Sequence, residues 1–308
     1  MDSLKRGFAF LKQAWQMALA DRDLLKPSIY ALLVGFIVTL LGLIPIILAG
    51  VLFGESRIGQ AIIYIFGALL IFAQFSVSYI FSAMTIYLIF GYLAEGDGRM
   101  DKAWDIVRRD FLDILSLAAA STGVNLLKNF IKGKGNSRGR NVLAGIFDTV
   151  WTEATYLVLP AMIIEDIGLK DGLRRATDIV RKHLLLVGVS MVGVRFVTGL
   201  IGFLLGATGI GLGFGVGAGL VAVSQGAVFG WISGISLGIL IAGMFILIAT
   251  IIASYTTTAY HTCLYLWARD VEQARISGTD GSLVSPPAPL AAVLENGVLS
   301  NLGIVSRG

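Results

Sequence analysis

The stretch GAVFGWISGISLGILIA, residues 226–242, decides how the chain folds. Gly226, Gly230, Gly234 and Gly238 recur every four residues, and Ala242 continues the series. Positions i and i+4 lie one above the other on a helix, so these residues form one stripe almost free of side chains. In water, each glycine in a helix costs about 1 kcal/mol against alanine. In a bilayer, helices associate through packing rather than the hydrophobic effect, and a bare stripe admits a second backbone. The surrounding run, Gly199 to Ile252, holds no charged residue. It therefore reads as membrane helix built for close contact.

Composition agrees. The 308 residues are 56% hydrophobic and 14% charged, against roughly 25% charged in soluble domains, and mean hydropathy is +0.81. This places the chain among all-α integral membrane proteins. The net charge of +4 fits basic residues facing anionic lipid head groups rather than nucleic acid. The single cysteine, Cys263, excludes an intramolecular disulfide and a cysteine-based metal cluster. The basic N-terminus leads into an amphipathic segment, without the apolar core and cleavage site of a signal peptide.

Working outward, uncharged runs of about 20 residues mark crossings. Four spans are expected. Residues 27–94 supply a first pair, Pro27 to Gly54 and Ile58 to Ala94, with Pro45 inside the first and Tyr79, Tyr87 and Tyr92 near the end of the second. Residues 184–268 supply a second pair with a glycine-rich connection. In that connection Gly209, Gly211, Gly213, Gly215, Gly217 and Gly219 alternate. Period two suits an extended segment, while the four-residue spacings within the same series suit a helix. On the third span, Gly202 and Gly206 are the expected partners of the stripe within the chain; a second copy of the fourth span is the alternative.

The remaining segments are amphipathic or polar. Residues 1–26 form a helix with Leu4, Phe8, Leu11, Trp15 and Leu19 on one face, suited to the membrane interface or to packing on the protein. In residues 95–183 the uncharged runs Ile114 to Leu127 and Ala154 to Ile164 are too short to cross alone, so they are expected to lie on the membrane or dip into it. Leu169, Leu173, Ala176, Val180 and Leu184 form a second stripe beside a charged face with i,i+4 pairs such as Asp171–Arg175. An amphipathic helix followed by two spans thus occurs twice. Residues 269–308 contain Ser-Pro-Pro-Ala-Pro and are expected to be mostly disordered. Of 24 Lys and Arg, only Arg57 and Arg195 fall outside the three basic segments, which places both termini in the cytoplasm of a multi-pass protein of the cytoplasmic membrane.

Several motifs together resemble an uncharacterised bacterial and archaeal family of small polytopic membrane proteins, a domain of unknown function. They are Trp15 followed by Asp-Arg-Asp-Leu-Leu-Lys-Pro at 21–27, Trp-Thr-Glu-Ala-Thr-Tyr-Leu-Val-Leu-Pro at 151–160, Glu-Asp-Ile-Gly at 165–168, the basic helix to His183, and Leu-Tyr-Leu-Trp-Ala at 264–268. The resemblance implies a membrane fold and no particular activity.

Catalytic chemistry has little to stand on. There is no nucleophile elbow and no phosphate loop. His261 and Cys263 are two residues apart and share no helix face. Glu165 and Asp166 either bind a cation at the interface or end the apolar helix and pair with Arg174 or Arg175. Arg195, about 11 residues into the third span, is the candidate contact for an anion or a lipid phosphate; the competing reading is an arginine that snorkels to the interface. No enzyme, metal or cofactor is expected. The expected function is a homo-oligomeric pore or transport-type assembly, or a non-conducting scaffold that organises lipid; both place the chain among membrane lipids. A pore would use the glycines and Arg195 at a shared axis; a scaffold would bury them within one chain.

Overall fold

A computed structural model gives the backbone of residues 2–54, 56–133, 138–224 and 228–294; within it, the side chains of 2–4, 6, 132–133, 138–144, 146–150, 180–195, 229–230, 282 and 292–294 are not described. Every long element is a helix: α1 (Asp2–Ala20), α2 (Lys26–Phe53), α3 (Arg57–Glu95), α4 (Met100–Arg109), α5 (Phe111–Gly133), α6 (Arg138–Glu165), α7 (Leu169–Val223), α8 (Val228–Ile276) and the short α9 (Ala288–Leu294). The protein is all-α, and five stretches are long and apolar enough to span a membrane: 22–53, 57–95, 111–131, 196–223 and 231–276.

That is one more than the uncharged runs suggest. The addition is α5, where Asp113 and Lys128 interrupt the count but not the helix. At about 1.5 Å per residue its 23 residues reach about 35 Å, enough for the hydrocarbon core. The glycine-rich connection is also resolved. Residues 209–219 are helical, α7 runs unbroken to Val223, and the reversal falls beyond it. The third span is therefore the second half of a 55-residue helix that begins at Leu169.

Local chemistry sets the boundaries. Asp21 accepts from the Asp23 N–H at 2.9 Å and opens a turn of 3-10 helix, after which Pro27 sits in the first turn of α2. Ser56 caps α3 by accepting from the Gly59 N–H at 3.1 Å, and Gly96 ends it in the left-handed conformation at φ 79°. The second Asp21 oxygen accepts from Gly98 N–H at 2.7 Å and ties the loop after α3 to the turn before α2.

The chain divides into two compact units. One holds residues 1–16, 186–260 and 288–308, and is built around the hairpin of α7 and α8. Here Phe10 meets Tyr260 edge-on at 5.4 Å, and Tyr255 Oη donates to the Ala14 carbonyl at 3.1 Å, so α1 packs on α8 through Phe10 and Ala14, a face turned away from the expected stripe, whose Phe8 and Leu19 are exposed. The other unit holds residues 17–185 and 261–287. In it, α2 packs along α3, α3 also meets α4, α5 and α6, and α5 meets α6. Gln74 ties the α2–α3 hairpin by donating to the Gly35 carbonyl at 2.9 Å and to Thr39 Oγ1 at 2.7 Å.

Candidate functional site

The alternating glycines of α7 resolve into two stripes on opposite faces of one helix. Gly209, Gly213 and Gly217 are buried, whereas Gly211, Gly215 and Gly219 are exposed. The buried set lies against α8. A Cβ added at Gly213 would stand 2.4 Å from the Gly238 carbonyl oxygen, and one at Gly238 would stand 2.7 Å from that of Gly213. Gly217 and Gly234 repeat the arrangement at 2.8 and 2.6 Å. Both partners are backbone, so only glycine fits at this separation.

The helices therefore meet at Gly234 and Gly238, but opposite Gly213 and Gly217 rather than Gly202 and Gly206. At 3.6 residues per turn Gly202 and Gly206 share the face of Gly213 to within about 20°. A Cβ there meets nothing within 4 Å, because the approach is confined to one end of the hairpin. Phe245 marks its limit: a Cβ on Gly209 would meet the Phe245 Cβ at 2.5 Å. Trp231 and Ile239 are exposed. Gly226, the surroundings of Gly230 and the Arg195 and His183 side chains lie outside the described residues.

Where the backbones touch, a groove of about 550 Å³ runs along the hairpin. Its floor is Gly213, Gly217, Gly234 and Gly238, and its walls include Phe214, Val221, Trp231 and Ile239. Lining this apolar is unsuited to an ion and suited to hydrocarbon.

The ionisable side chains described in contact with one another lie in the other unit, around α6. Glu153 Oε2 lies 3.6 Å from His261 Nε2, with the histidine side chain 2% exposed and the glutamate 19%. The Tyr156 ring, one helical turn beyond Glu153, stacks on the imidazole at 4.5 Å and 14°. Burial, then the nearby Tyr79, raises the Tyr156 pKa, so its phenol stays neutral. Ser121 on α5 bonds Tyr79 Oη from α3 at 2.8 Å and accepts from Trp151 Nε1 at 3.0 Å. Within the Trp-Thr-Glu-Ala-Thr-Tyr motif, Trp151 thus reaches α5, while Glu153 and Tyr156 meet His261 on α8.

Further along the same helices, Arg175 Nε donates to Glu165 Oε1 at 3.1 Å, and its Nη1 donates to Glu272. Tyr265 Oη also donates to Glu165, at 2.5 Å. Burial disfavours the guanidinium charge, but the bonds to Glu272, Tyr265 and Glu165 outweigh it and raise the Arg175 pKa. This links α6, α7 and α8 within the unit. Of the two acids at the end of α6, Glu165 pairs with Arg175, while Asp166, at φ 54°, pairs with Arg109 at 3.0 Å.

Sequence reasoning missed the Glu153–His261 pair, because 108 positions separate the two and spacing rules read only local neighbours. Among the described residues no three histidine, cysteine or acidic side chains gather as metal ligands. Comparison with protein-family models and with curated proteins finds no match to this chain, so the resemblance rests on its own motifs.

Proposed function

We propose that this chain is a non-conducting, multi-pass scaffold of the cytoplasmic membrane, with both termini cytoplasmic, that organises lipid and carries out no reaction. The observation that supports this reading is the reciprocal backbone contact of Gly213 and Gly217 with Gly238 and Gly234. The stripe that would line a shared axis in a pore is filled by the chain's own neighbouring helix. What the hairpin offers outward is an apolar groove with glycine along its floor, a surface for acyl chains. Cytoplasmic termini require an even number of crossings, so in this reading α5, although long enough to cross, lies at the cytoplasmic face, with the three basic segments toward anionic head groups.

A second reading, a homo-oligomeric pore, draws on the other face of α7. Gly211, Gly215 and Gly219 are exposed, and a Cβ at any of them meets nothing within 4 Å. A second copy of the chain fits such a face. One experiment separates the readings: native mass measurement in nanodiscs, joined to ion and small-solute flux from proteoliposomes. A scaffold leaves flux at the level of empty liposomes at every stoichiometry. Flux that rises with protein and is abolished by Gly215→Leu sinks the scaffold reading.

A further inference from the structure

We propose that the groove of the α7–α8 hairpin holds one acyl chain of a membrane lipid and does not read the head group. This deepens the scaffold reading and rests on it for the side of the membrane concerned. The groove lies wholly within the unit that contains residues 186–260. It runs beside Trp231 to Ala242 on α8 and Ile210 to Ala222 on α7. At about 1.5 Å per residue each stretch makes a channel about 16–18 Å long. The hydrocarbon of one leaflet is about 15 Å deep, half of the bilayer core. The channel follows two membrane-spanning helices, so it runs the way lipid chains run. Its Ala222 end lies beside Val223, where α7 stops, so it occupies the leaflet on the side of the reversal. With both termini cytoplasmic, that is the outer leaflet.

Size and charge choose the occupant. Carbon atoms in contact stand about 4 Å apart, so a polymethylene chain is about 4–5 Å wide and about 16 Å of it fills about 300 Å³. The groove offers about 550 Å³, room for one chain and not for two. A helix is about 10–12 Å across with its side chains, and the same length of it displaces more than about 1,200 Å³. A second copy of this chain could therefore seat side chains here, but not a helix. Ile210, Phe214, Ile235 and Ile239 are each more than half exposed and stand beside a floor that is backbone. An extended chain can touch these walls along its whole length. Residues 199–252 hold no charged side chain, and they include the reversal at Ser224-Gln225-Gly226-Ala227. A phosphate at the mouth of the groove therefore meets no cation from this stretch, and affinity comes from the fit of the chain. In the scaffold reading the basic segments meet anionic head groups on the other side of the membrane, so the two surfaces hold lipid by different chemistry.

The test uses the full chain in phosphatidylcholine nanodiscs. The probes are phosphatidylcholine and phosphatidylglycerol, each with a nitroxide on one acyl chain, and electron paramagnetic resonance separates immobilised from fluid chains. Ala218→Trp puts a ring into the groove from an exposed position. It is expected to weaken probe association about fivefold or more, because the displaced chain loses many atom contacts at once. Leu240→Trp adds similar bulk at an exposed position outside the lining and is expected to change nothing. The component lost in Ala218→Trp is expected to be equal for the two probes and indifferent to salt. Equal association by the parent and Ala218→Trp proteins overturns the proposal. A lost component that is larger for phosphatidylglycerol and abolished by salt overturns it too, since the head group is then read. A drop in oligomer mass with chain immobilisation unchanged overturns it in favour of a second copy. Should Ala218→Trp fail to fold, Ile235→Trp fills the groove from the other wall and is read the same way. Flux measured on the same protein keeps the two readings apart. A conducting protein that still immobilises the chain loses the scaffold reading and keeps this site, and a silent one that immobilises no chain loses this site alone.

Discussion

Adding a single methyl group at Gly213 and at Gly215 makes a matched experiment on one helix. The two sites are two residues apart on α7 and differ in what a Cβ meets. At Gly213 it would lie 2.4 Å from the Gly238 carbonyl oxygen, 3.2 Å from its carbonyl carbon and 3.4 Å from the Ala242 nitrogen. At Gly215 it would meet nothing within 4 Å. Ordinary non-bonded contact lies near 3.5–4.0 Å, so Gly213→Ala forces the helices about 1 Å apart. Overpacking of this kind costs about 1–3 kcal/mol. Both substitutions gain the helix propensity of alanine, about 1 kcal/mol, and that gain cancels in the comparison. Gly213→Ala is therefore expected to be less stable than Gly215→Ala by about 1–3 kcal/mol, with Gly215→Ala at or above the parent. Reversible unfolding in mixed micelles, followed by circular dichroism, measures both. Equal stabilities would refute the backbone contact, and with it the argument that the stripe is filled within the chain.

Three further outcomes follow from named contacts. Arg175→Gln leaves Glu165 and Glu272 without their shared cation; a fully buried pair broken this way loses about 3–5 kcal/mol, and because these side chains are about a quarter exposed the expected loss is about 1–3 kcal/mol, read as a lower melting temperature. Asp21→Ala removes the acceptor of both the Asp23 and Gly98 N–H groups and is expected to cost about 1–2 kcal/mol, with faster amide exchange at Gly98 as its signature. Gln74→Leu removes the interhelical bonds to Gly35 and Thr39, and is expected to weaken the α2–α3 hairpin by about 0.6–2 kcal/mol in a mixed-micelle unfolding series.

The spans built from long uncharged runs were legible because hydropathy is a property of consecutive residues. Where two helices cross was not. The glycine period identifies a face, and Gly202, Gly206, Gly209, Gly213 and Gly217 all belong to it. Which of them touch depends on where α8 lies along that face, and no local pattern encodes this. The length of α5 was hidden for another reason. Asp113 and Lys128 ended the uncharged run, yet both sit close to helix ends, where polar side chains can reach the interface. At the end of α6, pairing of the acids with a neighbouring arginine was legible for Glu165, since Arg175 is ten positions away. Glu272 and Tyr265 were not, because they arrive from α8 about 100 residues later.

The two helix hairpins differ in what occupies the space that glycine leaves. In α2–α3, Gln74 supplies a polar tie beside Gly35, and a Cβ on Gly42 would meet Leu70 Cδ1 at 2.6 Å. Glycine makes the room there, and a side-chain amide fixes the register. In α7–α8 the room is used by backbone alone: each glycine of the Gly213–Gly238 pair presents its Cα to the other's carbonyl. That geometry suits weak Cα–H···O contacts, which contribute little singly but recur along an interface. Such a contact contains nothing that titrates, and residues 199–252 hold no charged side chain. A change of pH therefore has no group to act on in the glycine contact. A spectroscopic distance probe across the α7–α8 contact should accordingly read one separation at every pH at which the protein stays folded, and a separation that shifts with pH would refute a contact made by backbone alone.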